Sequence, residues 1–327
     1  MKTLARVVLS GWLVVALLAP WVAPNDPGRQ FDARAYAPPT RLHVISASGS
    51  IRGPFFYALH LENPLERRYG TDVSRPIGLV WLARGVLISS PDDGQPLLLL
   101  GGDSLGRDLF SRVLYGARLS LGLAVVAALG ATLVGALAGV VAGFAGGLLD
   151  SAITRVAEVV LVLPALYVLL ALRSAMPLLV PPVWTFTITA VIFALVGWPF
   201  AARGVRAIVA AERRRDYVDA AVALGASRRR VLWVHLLPAT TGFLRTQFAL
   251  LLPACILAEA TLSFAGIGFS DDLPSWGTLL QEAGNIGVLP SAPWLLAPAV
   301  AIFSVVLAVN IIADTAARPI DTAPRVA

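Results

Sequence analysis

DYVDAAVALGASRRRVLWVHLLP, residues 216–238, is polar, helix-prone and arginine-rich, yet it lies between long apolar blocks. Asp216 is placed to cap a short helix. Along that helix Tyr217, Ala220, Ala221 and Leu224 fall on one face at helical spacing. Gly225 follows, where a helix stop needs a left-handed residue. Ser227 can cap a second helix through Arg228–Leu237, and Pro238 precedes the next apolar run. The stretch predicts a helix–turn–helix elbow outside the lipid. Its alanines let another protein's surface come close, and its arginines can meet acids or lipid phosphates.

The blocks around it define the class. Of 327 residues, 57% are hydrophobic and 14% charged, with mean hydropathy +0.75. A soluble domain of this length exposes far more charge, so the chain is read as an integral membrane protein. Apolar runs near the length of a bilayer span occur at about 5–23, 119–144, 153–173, 183–202, 243–266 and 294–316. The N-terminal basic residues and apolar run also fit a secretory signal peptide. The length of that run and the spans after it favour an uncleaved first helix. Between the fourth and fifth runs lie Arg203, Arg206, Arg213, Arg214, Arg215, Arg228, Arg229 and Arg230, which places this loop in the cytoplasm. Six spans then put both termini inside, consistent with Lys2, Arg6, Arg318 and Arg325. The net charge of +6 does not indicate nucleic acid, because the arginines flank apolar spans instead of forming one basic face.

The second run carries Gly122, Gly130, Gly135, Gly139 and Gly143. Small residues four apart let helix backbones approach closely in lipid. Packing within this chain and packing against a second membrane subunit both fit. The outer segment 24–102 has its own pattern. RLHVIS and IRGPFFYAL read as strands joined by ASGS, with Gly49 in the turn. IGLVWLARGVLI and QPLLLL are further strand candidates around PDDGQP. The expectation is a small β-rich insertion, with an irregular loop as the alternative. In residues 103–118, Leu105, Leu109, Phe110, Val113 and Leu114 recur at helical spacing with Arg107, Asp108 and Arg112 between them. That predicts an amphipathic helix at the outer surface.

Chemistry is bounded by what is missing. Cys255 is the only cysteine, so no disulfide within the chain and no cysteine-based metal site forms. His43, His60 and His235 are scattered and none lies in a span, which argues against a nucleophile–base pair or a metal cluster. Lys2 is the only lysine, so no Gly-Lys-Ser/Thr phosphate loop exists. ATP hydrolysis would have to come from a separate chain. An ion-coupled secondary transporter is the rival reading, and it calls for several intramembrane acids. Glu259 is the clearest one. A carboxylate at mid-membrane costs ~2.5–3.5 kcal/mol on insertion scales, so it must face protein or water. It either lines a pathway or packs by hydrogen bonds against a neighbouring helix, and Asn310 carries the same two readings.

DAAVALGASRRRVLWVHLLP resembles the EAA loop of bacterial ABC importer permeases, E-A-A-x3-G-x9-I-x-L-P. Asp219, Ala220 and Ala221 match its start, with Asp for Glu. Gly225, Leu237 and Pro238 match the rest, and His235 takes the Ile position. GGDSLGRDLFSRVLYGARLSL is similar to the G-T-D-x-x-G-R-D segment of the dipeptide/oligopeptide/nickel branch, C-type subunit, with Gly102 for Thr. AEATLSFAGIGFSDDLPSWGTLL resembles that branch's E-A-x-L-S-F-L-G-x-G and P-S-W-G segments. Together these cover about residues 100–320. The resemblance implies an all-α, six-helix permease of the type I importer fold, with the core at 119–316, the coupling loop at 203–238 and a cytoplasmic tail at 317–327. It implies a multi-pass subunit of the bacterial inner membrane that transports peptides or a related small solute and is not itself an enzyme. It implies as partners a B-type permease, two ATPase subunits or domains and an extracytoplasmic substrate-binding protein. No cofactor is expected on this chain, since ATP and Mg belong to the ATPases. Tyr217, Asp219, Ala220, Ala221, Leu224, Gly225 and Pro238 become the expected ATPase-coupling residues.

Overall fold

A computed structural model of the chain describes residues 1–45, 51–64, 66–83, 85–175 and 181–317. The turn expected at ASGS, most of the turn expected at 174–182 and nearly all of the tail lie outside the described residues. Among the described residues, five helices are long and apolar enough to cross a membrane, and one bent helix pair could supply a sixth span.

The helices divide between two compact units. The first contains residues 1–7, 123–258 and 306–327. Most of α2 (Leu109–Ala145) belongs to it, with α3 (Gly147–Val162), α4 (Ala165–Ser174) and α5 (Pro182–Glu212). Gly146 and Gly147, at φ 66° and 59°, make the tight turn from α2 to α3. The single span expected at 153–173 is instead broken. Pro164 lacks an N–H and pushes Leu163 into extended backbone, so α3 and α4 meet at 87°. The glycines of α2 face α5. A Cβ on Gly135 would lie 2.5 Å from the Trp198 carbonyl oxygen, and one on Gly139 2.5 Å from that of Ala202. This small-residue stripe therefore serves packing within the chain.

Beyond α5 come the short α6 (Asp216–Ala223), a single helical turn α7 (Arg228–Arg230), a π-helical turn Val231–Leu236 and α8 (Leu237–Phe264). Residues 228–264 form one continuous helical run, so Pro238 lies inside it and does not precede it. A proline there cannot donate to the carbonyl four residues back. The helix absorbs the defect in the wider turn, where the Leu237 N–H donates to the Leu232 carbonyl.

The second unit contains residues 8–122 and 259–305. It holds most of α1 (Lys2–Val22) and an antiparallel sheet ordered β1 (His43–Ile45), β2 (Ile51–Asn63), β3 (Arg68–Gly78). A separate hairpin pairs β4 (Val80–Trp81) with β5 (Ile88–Ser89). Phe56, Ala58, Ile77 and Leu97 form the buried core of this insertion. The sequence did not suggest β3, whose Gly, Asp, Ser and Pro residues disfavour strands. It forms because it can pair along β2, and as an edge strand it tolerates Pro76. QPLLLL is not a strand; it follows a turn at 91–95 and ends in another at 99–100. The amphipathic helix expected at 103–118 is also corrected. Residues 104–106 form a turn, and α2 starts at Leu109 and runs unbroken for 37 residues. α9 (Trp276–Ala283) is capped by Ser275, and a 3-10 turn, Pro293–Leu296, leads into α10 (Ala297–Ala317).

Candidate functional site: the elbow and two buried polar clusters

Val218 anchors α6. It is buried in a core with Val140, Val205, Val209, Val231 and Leu236, so α6 rests on α2, α5 and the π turn. The N-cap is Arg215, in extended backbone and without a side-chain cap, where Asp216 had been expected. Asp216 and Asp219 occupy the first turn instead, where the positive end of the helix dipole favours carboxylates. Gly225, at φ 84°, closes α6. Its N–H donates to the Val222 carbonyl, and the Ala226 N–H donates to the Ala221 carbonyl, the paired bonds of a Schellman ending. Ser227 Oγ accepts from the Arg230 N–H, as expected of a cap.

The exposed face is shifted from the expected one. Tyr217, Asp219, Ala220 and Leu224 are exposed, whereas Ala221 is half-buried at the flank beside Val218. Leu224 stands 89% exposed. Tyr217 is fixed on both sides. Its hydroxyl donates to Glu212 Oε2 at 2.6 Å, and its ring lies 5.7 Å from that of His235. The Glu212 carboxylate holds the Tyr217 phenol above its ordinary range. Arg213 Nη1 donates to the Phe144 carbonyl, and Arg206 pairs with Asp150, which ties the end of α5 to α2 and α3.

Glu259 is buried, with 2% exposure. Its two oxygens accept from Ser120 Oγ at 2.8 Å and Ser263 Oγ at 2.7 Å. Ser120 Oγ in turn accepts the Trp276 backbone N–H at the start of α9. The Trp276 indole donates to the Val113 carbonyl and meets the ring of Trp12 edge-on at 5.1 Å. Asn310 is exposed on α10, its amide donating to the Val306 carbonyl one turn back.

A second buried cluster is built from Arg107, Asp108 and Arg112, whose spacing suits a wet helix face. Arg107 bridges Asp103 at 2.6 Å and Asp271 at 2.8 Å, and Arg112 reaches Asp271 at 3.1 Å. Burial raises the Asp271 carboxyl, but the two guanidiniums outweigh it and hold the group below the ordinary range. Asp108 pairs with no cation among the described residues. It accepts from Ser111 Oγ, Asn25 Nδ2 and the Phe110 N–H, and burial pushes it up to about 6. The available signal was the four-residue spacing of Asp103 and Arg107, which allows an ion pair in or out of a helix.

Residues 131–326 match the family of binding-protein-dependent transport system inner membrane components. The chain belongs to the ABC importer permeases. It is 34% identical over 224 residues to the dipeptide transport system permease protein DppC of Haemophilus influenzae, covering 68% of this chain and 73% of that one. It is 31% identical over 304 residues, 91% and 80% of the two chains, to the di/tripeptide transport system permease protein DppC of Pseudomonas aeruginosa. A probable peptide permease of Sinorhizobium fredii is 42% identical over 217 residues, 65% and 71% of the two chains. This permease is therefore of the peptide family and a multi-pass protein of the inner membrane. It is a transport subunit and not an enzyme, because ATP hydrolysis in this family belongs to separate subunits. Family membership sets aside the ion-coupled carrier.

Proposed function

We propose that this permease forms half of a translocation pathway for peptides or a related small solute, with a B-type permease as the other half. Two ATPase subunits or domains dock beneath it, using ATP and Mg, and an extracytoplasmic binding protein delivers the solute. The arginine-rich elbow faces the cytoplasm together with both termini. The α6 helix is the docking element, through Tyr217, Asp219, Ala220 and Leu224, with Ala221 at its flank. Gly225 and Pro238 set its angle to the helix that follows.

The observation that carries this reading is the mounting of α6. Its inner side is locked by Val218 into a core shared with α2, α5 and the π turn, while Asp219, Ala220 and Leu224 on its outer side stand exposed. A short helix fixed in that way transmits force to the helices behind it. The test is co-purification of the ATPases and solute-stimulated hydrolysis for Ala220→Trp and Gly225→Val in the assembled transporter. Ala220→Trp adds bulk only to the outer face, and ATPase binding should weaken by on the order of tenfold or more. Gly225→Val strains the left-handed turn and should uncouple hydrolysis from uptake. Full ATPase retention with wild-type stimulated turnover in both variants would remove the docking role.

Glu259 is proposed as a tie between α8, α2 and α9, because it is enclosed by serine hydroxyls. Asn310, which is exposed on a membrane helix, is the better candidate for facing the pathway or the second permease. The insertion within 24–102 is proposed as a contact for the binding protein.

A further inference from the structure

α1 exposes an apolar stripe of Leu4, Val7, Val14, Leu17 and Trp21, and it is the least buried of the five long helices. Its inner face is accounted for: Ala19 and Ala23 pack on Leu114, and Trp12 donates to Ser304. The stripe holds no charge, as a surface turned to hydrocarbon requires. At 1.5 Å per residue its 21 residues extend about 31 Å, close to the thickness of a bilayer core. Trp21, in the last turn and 64% exposed, therefore lies at the level where tryptophan prefers to sit, between acyl chains and headgroups.

The β4–β5 hairpin is fastened at that level. The Leu87 N–H donates to the Trp21 carbonyl, and the Leu82 N–H donates to the Leu87 carbonyl. Beside these bonds Trp81, Leu82 and Leu87 stand out from the protein, Leu82 with 80% exposure. Leu82 also adopts φ 53°, a costly conformation for a branched apolar side chain that Gly or Asn would take more easily. The hairpin is thus bonded to the end of α1 that carries this stripe, with Trp81, Leu82 and Leu87 exposed. In water the tip would be an unprotected patch of tryptophan and leucine.

We propose that the β4–β5 hairpin is a membrane-interface anchor. Trp81, Leu82 and Leu87 insert among the headgroups and upper acyl chains of the leaflet in which α1 ends. The anchor holds one side of the β-rich insertion at the bilayer surface. This depends on α1 crossing the bilayer and is independent of the elbow's role.

The test is depth measurement on the full chain in lipid nanodiscs. Cys255, the sole and buried cysteine, is first replaced in Cys255→Ser. An environment-sensitive nitrobenzoxadiazole label is then placed at Leu82→Cys or Trp81→Cys. Leu17→Cys on the α1 stripe serves as the lipid reference, and Glu66→Cys, in the turn between β2 and β3, as the water reference. Phosphatidylcholine carrying a doxyl group high on its acyl chain is the quencher. Labels at positions 81 and 82 should emit blue-shifted and be quenched about twofold or more, as at position 17. Emission and quenching like those at position 66 would overturn the proposal. So would labels that ignore the doxyl lipid but respond to added binding protein, since the occupant would then be protein. Two label positions guard against either substitution disturbing the hairpin.

Discussion

Glu259 was legible as an anomaly, a lone acid in an apolar run, but its surroundings were not. Ser120 and Trp276 lie far from it in sequence, and no local pattern links them. With both carboxyl oxygens accepting from buried serines, Glu259→Gln keeps the shape and at least one of these bonds. Glu259→Leu strands two hydroxyls in a dry site, at a cost of roughly 1–3 kcal/mol. The expected outcome is near wild-type thermal stability and uptake for the glutamine variant and a clearly lowered unfolding midpoint for the leucine variant. A glutamine variant that is stable yet transports poorly would return Glu259 to the pathway. Gly225 lies at the other extreme of legibility. Its sequence context alone called for a left-handed residue, and its φ of 84° meets that expectation.

At the scale of elements, the glycine stripe of α2 had two readings, and the contacts to α5 decide between them for Gly130, Gly135, Gly139 and Gly143. Gly135 and Gly139 are the strictest of these positions, because the neighbours of each include two backbone atoms that cannot turn aside, those of Ala202 and Arg206 at Gly139. Gly139→Ala should force α2 and α5 apart and destabilise by roughly 1–3 kcal/mol, the ordinary range for overpacking. Gly146→Ala, in open space but at positive φ, should be milder. Thermal unfolding of the two variants in one detergent ranks them, and equal midpoints would mean that the helices separate without cost. The break between α3 and α4 was also within reach, since Pro164 stands in the sequence. An apolar run read by composition alone does not register a proline, which acts on the backbone and leaves hydropathy nearly unchanged.

Across the whole molecule, the buried polar clusters of the second unit create a pH dependence with a definite sign. Asp108 is held near 6 against an ordinary value of 3.8. The folded state therefore binds this proton more tightly than the unfolded chain. Its contribution to stability is full below about pH 4, declines as pH rises to about 6, and is absent above that; the full span is on the order of 3 kcal/mol. The groups around it, Asn25, Ser111 and the Phe110 N–H, are uncharged, so no neighbour reverses the trend. Asp271, held below the ordinary range, changes stability only at more acidic pH. Wild-type protein should gain more thermal stability between pH 7.5 and pH 5 than Asp108→Asn gains. Parallel curves for the two proteins would show that Asp108 does not titrate in this interval.

The amino-acid order by itself determined the membrane class, the approximate sites of the apolar helices and the elbow with its left-handed glycine. These follow from hydropathy and helical spacing, which are properties of neighbouring residues. Tertiary structure decided what each polar group faces. Arg107, Asp108 and Arg112 have the spacing of a wet helix face, yet they are buried because Asp271 and Asn25 arrive from distant segments to meet them. It also decided β3, whose residues disfavour a strand until β2 supplies the ladder, and the inward turn of Val218, which moves the elbow's outer face away from Ala221. Pairing energies between remote residues override local preference, and a linear pattern carries no record of which remote residues will meet.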